Sequence, residues 1–259
     1  MNITILGCGW LGKIIGEKFV KDGETVFGSY RDEANEAAIN QLGIHPFHLS
    51  NSLKPQKVIH YYDNTDVLCI FLPVSKIELI DEFISNLIEF VNLFSPETKI
   101  FYTSSIGVYP KKEGIFNEAY SFLDDEKNSN LYHVEEALKG NFTNRLSILR
   151  LGGLIGPNRH PINHLAGKKM KDDGSAKINL IHSDDIYEAI SRVIQEDKFD
   201  SIYNLVYPQI ISRKDYYSKY AENVGLSKPI YGTVKALNRL ILGAKIEQEV
   251  KFNYANTID

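Results

Sequence analysis

Short apolar runs alternate along the chain with longer segments that are apolar on one side only. Residues 3–6 and 66–72 are nearly continuous apolar runs. Such runs are typical of strands that are covered on both faces of a parallel sheet. Four further strands are predicted from the same kind of pattern, at residues 24–30, 46–49, 99–103 and 146–151.

The segments between these strands have the spacing of helices. Residues 11–21 form one such segment, and residues 77–94 form a longer one. In the longer segment apolar residues recur every three or four positions, which predicts an amphipathic helix that packs on the sheet. These residues are Ile77, Ile80, Ile84, Leu87, Val91 and Phe94. Alternating strands and helices predict right-handed crossovers and a doubly wound sheet.

The alternation breaks down beyond about Gly156. Residues 158–175 are polar and loop-like, and residues 207–259 are predicted to be mainly helical. The fold class that we predict is therefore α/β, a Rossmann-type doubly wound parallel sheet with a small, mainly helical C-terminal cap. The predicted domains are 1–156 plus 179–206 for the sheet and 157–178 plus 207–259 for the cap on the substrate side.

Composition narrows the class of protein. The chain has 259 residues, of which 43% are hydrophobic and 24% charged, with a net charge of −4. This charge does not favour nucleic acid, and no apolar run reaches the roughly 20 residues of a spanning helix. Cys8 and Cys69 form no Cys-x-x-Cys pair, and the N-terminus reads as a strand rather than a signal peptide. We expect a cytoplasmic protein with reduced thiols and neither a nucleic-acid nor a membrane partner.

A glycine pattern joins the first strand to the first helix. It reads Gly7-Cys8-Gly9-Trp10-Leu11-Gly12. In that context Gly7 permits a tight turn, Gly9 lets a pyrophosphate approach the backbone, and Gly12 lets the helix pack on the strand. The amides and positive dipole at the start of the helix then hold the phosphates. The segment predicts a dinucleotide site in which Trp10 and Leu11 also take part.

The end of the second strand indicates which dinucleotide the site binds. It reads Ser29-Tyr30-Arg31, without the acidic residue with which NAD sites bind the ribose 2′-hydroxyl. Arg31 suits a 2′-phosphate, because its guanidinium can pair with phosphate through two hydrogen bonds. NADP(H) is therefore the predicted cofactor, with NAD(H) left open. A methyltransferase that uses the same loop is the less favoured alternative.

Several motifs together resemble the extended short-chain dehydrogenases/reductases, in particular their atypical, nucleoside-diphosphate-sugar epimerase-like branch. Besides the glycine loop they are Thr103-Ser104-Ser105-Ile106-Gly107-Val108-Tyr109, Leu149-Arg150-Leu151-Gly152-Gly153, Ile181-His182-Ser183-Asp184-Asp185 and Tyr203-Asn204-Leu205. The resemblance spans the chain to about Val206. It implies that Leu72 and Pro73 pass the adenosine and ribose, and that Thr103 lies at the cofactor crevice.

The same resemblance implies a catalytic Ser, Tyr and Lys. Ser105 falls at the serine position, where it would bind the substrate oxygen, although a hydroxyl at a strand end also serves to form a turn. Tyr132 is the candidate proton donor, but Glu136 stands where the lysine of Tyr-x-x-x-Lys belongs. A carboxylate there disfavours the phenolate. A shifted register would place Lys127 and Leu131 in the two positions, again without the lysine.

Other polar residues are weaker candidates. Arg159, Lys168, Lys169 and Lys171 make one loop basic, which suits either an anionic substrate or simple solvation. His160 and His164 lie four residues apart with a proline between them and no third ligand, so we expect no metal.

The sequence thus predicts an oxidoreductase or epimerase that acts on a carbonyl or hydroxyl carbon of a sugar-like or nucleotide-linked small molecule. The altered Tyr-x-x-x-Lys pattern keeps open a catalytically inactive NAD(P)-binding sensor. The apolar helix at residues 77–94 offers a surface for a homodimer, and the oligomeric state stays open.

Overall fold

The computed structural model describes residues 1–50, 52–53 and 64–255. Within these ranges the six predicted strands are present, with five strands in addition. In chain order the strands are β1 (Asn2–Leu6), β2 (Thr25–Tyr30), β3 (His45–His48), β4 (Val67–Ile70), β5 (Lys99–Ser105), β6 (Gly114–Phe116), β7 (Leu146–Leu151), β8 (Gly153–Ile155), β9 (Leu180–His182), β10 (Ser201–Leu205) and β11 (Arg239–Ile241).

The helices lie between these strands. They are α1 (Trp10–Lys21), α2 (Glu36–Asn40), α3 (Ile80–Val91), α4 (Asn130–Asn141), α5 (Ile162–Leu165), α6 (Ser183–Gln195), α7 (Arg213–Asn223) and α8 (Lys245–Glu249). In the part of the chain that the structure describes, no helix is long and apolar enough to span a membrane.

Seven strands form one sheet in the order β10-β7-β5-β4-β1-β2-β3. The pairs β1–β2, β1–β4, β2–β3 and β4–β5 are parallel, and Ile5 of β1 lies between Gly28 of β2 and Cys69 of β4. The chain moves outward in one direction from β1 to β3 and in the other from β4 onward. This reversal confirms the predicted doubly wound fold and opens a crevice at the carboxyl ends of β1 and β4.

Helix α3 is shorter than the spacing predicted. It begins at Ile80 and ends at Val91, whereas the apolar pattern extends from Ile77 to Phe94. Both outer residues still face the core, because Ile77 packs against it from a turn and Phe94 is buried beside Phe90. The spacing of apolar side chains indicates which residues face the core. It does not fix where the helix ends, because turns beside a helix can show the same spacing.

The chain divides into two compact units. Unit 1 comprises residues 1–104, 123–149 and 193–202. Its core is formed by the buried faces of the sheet and of α3 and α4, with Leu68, Ile70 and Tyr102 among its fully buried side chains.

Unit 2 comprises residues 105–122, 150–192 and 203–259, of which 256–259 lie outside the described residues. It contains two small parallel sheets, β11–β6 and β8–β9. A separate core packs α7 against α5 and the strand region, with Tyr216, Tyr217 and Ile162 buried in it. The segment from residue 207 onward, which was expected to be mainly helical, holds α7, α8 and β11.

Two helical glycines form a matched test of packing on the sheet. A Cβ on Gly12 would lie 2.4 Å from the carbonyl oxygen of Gly7 and 3.3 Å from Ile5 Cγ2, whereas a Cβ on Gly140 would meet nothing within 4 Å. We expect Gly12→Ala to lower the free energy of unfolding by ~1–3 kcal/mol, because backbone must move to admit the methyl group. Gly140→Ala should raise it by ~0.5–1 kcal/mol. Urea denaturation measures both, and equal effects would contradict the observed packing of α1.

Candidate cofactor site

A cleft of about 700 Å³ lies in unit 1 at the carboxyl ends of β1, β2 and β4. This volume is in the range of small-molecule and cofactor sites. It is the crevice that the sheet order predicts, since β1 and β4 are where the winding reverses. The residues that line it are Gly7, Cys8, Gly9, Ser29, Tyr30, Arg31, Asp32, Asn35, Leu49, Ser50, Ser52, Leu53, Phe71, Leu72, Pro73, Ile77, Leu79, Glu82, Phe83 and Asn86.

Gly7 makes the turn that leads out of β1. Its φ of +97° is a backbone conformation that other residues rarely adopt, and a Cβ there would lie 2.8 Å from the carbonyl oxygen of Phe71. Its amide donates to Ser29 Oγ at 2.8 Å. The turn is therefore fixed from β4 on one side and from β2 on the other.

Gly9 and Gly12 have different surroundings. Gly12 lies against the carbonyl of Gly7, so the first turn of α1 packs directly on the loop. Gly9 precedes α1 and lines the cleft, and a Cβ on it would meet nothing within 4 Å. The absence of a side chain at Gly9 leaves the backbone open toward the cleft.

The start of α1 suits an anion. Gly9 is its N-cap, and no side chain in the described part of the chain caps the first amides. The first turn contains no acidic residue, and Lys18 and Lys21 lie in the last turn. The first amides of α1, which have no acceptor within the helix, and the positive end of the helix dipole therefore coincide at the cleft.

Ser29 holds the loop in place. Its side chain is buried, its hydroxyl accepts the amide of Gly7, and its carbonyl accepts the amide of Cys8 at 3.0 Å. Sequence reasoning named Ser29 as a cofactor-binding residue. The structure places it on the cleft wall with its hydroxyl engaged by the loop.

A cation and two carboxylates lie where β2 ends. Arg31 is exposed on the cleft wall beside Asp32, whose carboxylate accepts the amide of Ala34 at 3.0 Å. The Tyr30 hydroxyl donates to Glu36 Oε2 at 2.8 Å, and this carboxylate raises the pKa of Tyr30 to about 12. The carboxylate of Asp32 thus binds a backbone amide, and the carboxylate of Glu36 binds the Tyr30 hydroxyl.

The opposite wall is largely apolar. Leu72 and Pro73 line it directly after β4, as the resemblance implied, and Phe83 is added from α3. Sequence reasoning missed the contributions of α3 and of the residues after β3, such as Ser50. Ser50 had a usable signal, since it follows a predicted strand at the same edge of the sheet, whereas nothing in the sequence indicates which face of α3 meets the cleft.

The remaining predicted cofactor residues lie near the cleft without lining it. Trp10 and Leu11 form the first turn of α1, with Leu11 buried. Thr103 is half-buried near the end of β5, and its Oγ1 donates to the carbonyl of Ile70 at 3.2 Å. These positions support the loop and the edge of the sheet.

Ser105 ends β5 in unit 2 and caps a short 3-10 turn. Its Oγ accepts the amide of Gly107 at 3.1 Å. The hydroxyl of Ser105 thus takes the turn-forming role that the sequence left open. Its neighbour Ser104 is buried, and its hydroxyl has no hydrogen-bond partner among the described residues.

Tyr132 lies half-buried in the first turn of α4, in unit 1. Its amide donates to Ser129 Oγ at 3.1 Å. Glu136, one turn later, pairs with Lys139 at 2.5 Å. Lys127 pairs with Asp124 at 2.8 Å, and its pKa is raised chiefly by this carboxylate, with a smaller effect of the Tyr132 hydroxyl. The position one turn after Tyr132 therefore holds a carboxylate, and Lys127 lies in the turn that precedes α4.

The two cysteines are unsuited to nucleophilic chemistry. Burial raises the pKa of the Cys8 thiol to about 12, and it raises the pKa of Cys69 as well. Both thiols therefore stay protonated at neutral pH. The Cys8 sulfur fills the space above Gly28, where a Cβ would lie 2.4 Å from it.

The His160 ring is held in place by neighbouring groups of unit 2. Its Nδ1 accepts the amide of Ile162 at 3.1 Å, its Nε2 lies 2.8 Å from the Tyr216 hydroxyl, and it stacks on Tyr220 at 3.7 Å. Within residues 1–50, 52–53 and 64–255, no cluster of three His, Cys, Asp or Glu side chains could hold a metal ion.

The fold is that of the extended short-chain dehydrogenases/reductases, as the motifs predicted. UDP-glucose-4-epimerase of Stenotrophomonas maltophila, with bound NAD, matches with a TM-score of 0.78 and 14% identity over 99% of this chain and 94% of that one. Vestitone reductase of alfalfa matches with a TM-score of 0.77 and 14% identity over 99% and 94%. A functionally unknown conserved protein from Silicibacter pomeroyi DSS matches with a TM-score of 0.76 and 18% identity over 97% and 93%.

Within this class, the sequence is similar to protein YeeZ of Escherichia coli K12. The two chains are 31% identical over 265 residues, which cover 98% of this chain and 95% of YeeZ. The chain belongs to the YeeZ family. No family model matches the sequence.

Removing the Ser29 hydroxyl tests the support of the loop. Ser29→Ala leaves the partly buried amide of Gly7 without its acceptor, which should lower the free energy of unfolding by ~1–3 kcal/mol. Ser52→Ala removes an exposed hydroxyl at the same cleft, which lies 2.9 Å from the Ser50 hydroxyl, and should change the free energy of unfolding by less than ~0.5 kcal/mol. Denaturation curves of the two variants give the comparison. A Ser29→Ala protein as stable as Ser52→Ala would contradict this role.

The burial of His160 predicts that the free energy of unfolding depends on pH. Burial lowers the pKa of His160 from 6.5 to about 4, so the folded protein favours the neutral ring. The contribution is complete above the unfolded-state pKa and is lost as the pH falls from about 6.5 toward 4. Unfolding free energies measured across this window should fall less steeply in His160→Gln than in the wild type. His164→Gln, an exposed control, should retain the wild-type slope, and identical slopes in all three proteins would refute the assignment.

Proposed function

We propose that the protein binds NADP(H) in the unit 1 cleft and catalyses hydride transfer at a carbonyl or hydroxyl carbon of a small-molecule substrate, as a reductase or epimerase. The observation that carries the proposal is the uncapped start of α1 at a glycine loop that closes against β2 and β4. Phosphates are the ligands that such helix starts hold. The epimerase of the same fold contains NAD, which supports a nicotinamide dinucleotide here.

Arg31 supports NADP(H) over NAD(H). It lies on the cleft wall at the end of β2, where a ribose 2′-substituent falls in this fold. Asp32 could instead accept from a 2′-hydroxyl, but its carboxylate accepts the amide of Ala34. A guanidinium beside a phosphate forms charge-assisted hydrogen bonds that a hydroxyl cannot match.

Ser105 and Tyr132 are the proposed substrate-side groups, with Ser105 binding the substrate oxygen and Tyr132 moving the proton. A bound nicotinamide supplies or accepts the hydride. In a reduction the hydride adds to the carbonyl carbon, the phenol gives its proton to the oxygen, and an alcohol forms. We propose that Lys127 takes the role of the missing lysine, because it lies in the turn that leads into the helix of Tyr132. Residues 157–178 and 207–259 remain our proposal for the substrate-binding cap, and the homodimer stays a prediction.

A catalytically inactive dinucleotide sensor is the second candidate. The observation that favours it is the Glu136–Lys139 ion pair one turn after Tyr132, where a catalytic lysine would be expected. The sensor would bind the dinucleotide without turnover.

The cofactor assignment is tested by calorimetry with NADPH and NADH. Arg31→Ala should weaken NADPH binding at least roughly tenfold and NADH binding by less than about twofold, because only NADPH loses a charge-assisted pair. Lys76→Ala, which removes an exposed cation after β4 that does not line the cleft, should leave both affinities unchanged. Equal losses for both nucleotides in Arg31→Ala would contradict the 2′-phosphate role, and no binding of either nucleotide would remove the proposed function.

Turnover separates the enzyme from the sensor. Single-turnover oxidation of NADPH against a panel of sugar aldehydes and ketones should show a reactive substrate, with a rate that falls about 10²–10⁴-fold in Tyr132→Phe. His133→Gln, which alters the neighbouring exposed side chain, should retain the rate. A panel without any oxidation, in a protein that binds NADPH, favours the sensor.

A further inference from the structure

The segment that follows β4 forms one wall of the cofactor cleft and makes a tight turn. Leu72, Pro73 and Ile77 line the cleft, and the amide of Ile77 donates to the carbonyl of Val74 at 3.2 Å. The turn then leads into α3, from which Phe83 lines the same cleft. A displacement of this turn would therefore displace a wall of the cleft.

Asn130 holds this turn from the side of α4. Its Nδ2 donates to the carbonyl of Val74 at 3.0 Å and to the carbonyl of Ile77 at 2.7 Å. The two N–H groups of one amide thus bind the carbonyls at both ends of the turn. Asn130 is half-buried, so water competes less with these hydrogen bonds than it would at an exposed site.

The same residue begins the helix that carries Tyr132. Asn130 is the first residue of α4, and Ser129 before it caps the helix by accepting the amide of Tyr132 at 3.1 Å. The amide of His133 donates to the carbonyl of Ser129, also at 3.1 Å. The position of Tyr132 therefore depends on the first turn of α4, which Asn130 joins to the wall of the cleft.

Neither capping nor apolar packing accounts for this side chain. Ser129 already caps α4, so the amide of Asn130 is not needed for the helix to begin. Leu131 packs on the core cluster that includes Val74 and Ile77, and this packing holds the two segments together. Apolar contact is non-directional, however, whereas two hydrogen bonds from one planar group fix both distance and orientation. Asn130 therefore determines how the turn and the helix are aligned.

We propose that Asn130 is a positioning residue that couples occupation of the cofactor cleft to the helix of Tyr132. A dinucleotide that contacts Pro73 and Ile77 restrains the turn, and Asn130 transmits this restraint to the first turn of α4. Tyr132 is thus held more firmly when the cofactor is bound. The inference deepens the proposed function and rests on it for the dinucleotide and for the role of Tyr132.

Hydrogen exchange of single amides, followed by nuclear magnetic resonance with and without saturating NADPH, tests this coupling. In the wild type NADPH should slow exchange of the Tyr132 and His133 amides at least about fivefold, because their hydrogen bonds close the first turn of α4. In Asn130→Ala, at saturating NADPH, the slowing should be less than about twofold. Asn141→Ala is the matched control, because Asn141 Nδ2 donates to the carbonyl of Ala137 at 2.8 Å at the other end of the same helix. It should retain the wild-type response.

The ratio of exchange rates without and with NADPH separates a positioning role from a merely structural one. A merely structural Asn130 would speed exchange in Asn130→Ala in both conditions and leave the wild-type ratio unchanged, which would overturn the proposal. A wild type whose α4 amides do not respond to NADPH would overturn it too, as would a lost response in Asn141→Ala. If Asn130→Ala fails to fold, Asn130→Asp, which has the same size but lacks the amide donors, takes its place with the same expected result.

Calorimetry on the same proteins reports whether NADPH binds at all. Binding that leaves the exchange of α4 unchanged in the wild type refutes this inference alone. A wild type that binds no NADPH refutes the proposed function and this inference with it, so the two failures are distinguishable.

Discussion

The close packing of Gly12 on the carbonyl of Gly7 is the contact on which the rest of the site depends. It brings the first turn of α1 to within van der Waals distance of the end of β1, and no side chain could be added there without moving backbone. The amide of Gly7 is at the same time tied to Ser29 on β2, and its α-carbon faces the carbonyl of Phe71 after β4. Three neighbouring strands therefore determine where the helix begins.

This geometry explains how an acidic unit can offer a site to an anion. Unit 1 has 12 Lys and Arg against 21 Asp and Glu, a formal charge of −9, so it presents no favourable net field to a dinucleotide. The attraction has to come from main-chain amides and from the dipole of α1, which act over short distances, with Arg31 as the charged side chain at the rim. Unit 2, by contrast, has 17 against 12 and carries a formal charge of +5. The two units thus carry opposite net charge.

Much of the fold could be predicted from the sequence because the signals were local. A buried strand followed by glycines at fixed spacing specifies a strand-to-helix turn, and the apolar runs gave every strand of the large sheet except β10. The predicted residues Gly7, Gly9, Tyr30, Arg31 and Leu72 meet in one cleft for the same reason. The sequence motif of β10, around Tyr203, was recognised only through the family resemblance.

The parts that could not be predicted depend on contacts between distant segments. That the Ser29 hydroxyl binds the loop follows from the register of β1 and β2, and the part of α3 that reaches the cleft follows from the rotation of that helix. Likewise, no Tyr-x-x-x-Lys pattern encodes the 3-10 turn before α4, in which Lys127 pairs with Asp124.

The most direct measurement is an amide proton–nitrogen correlation spectrum recorded while NADPH is added. The account predicts that the amides of Gly9, Trp10 and Leu11 shift most and become protected from hydrogen exchange, since they point at the phosphates. The amide of Gly7 should already be protected in the free protein, because Ser29 accepts it. Saturable NADPH binding that leaves the start of α1 unperturbed would contradict the account.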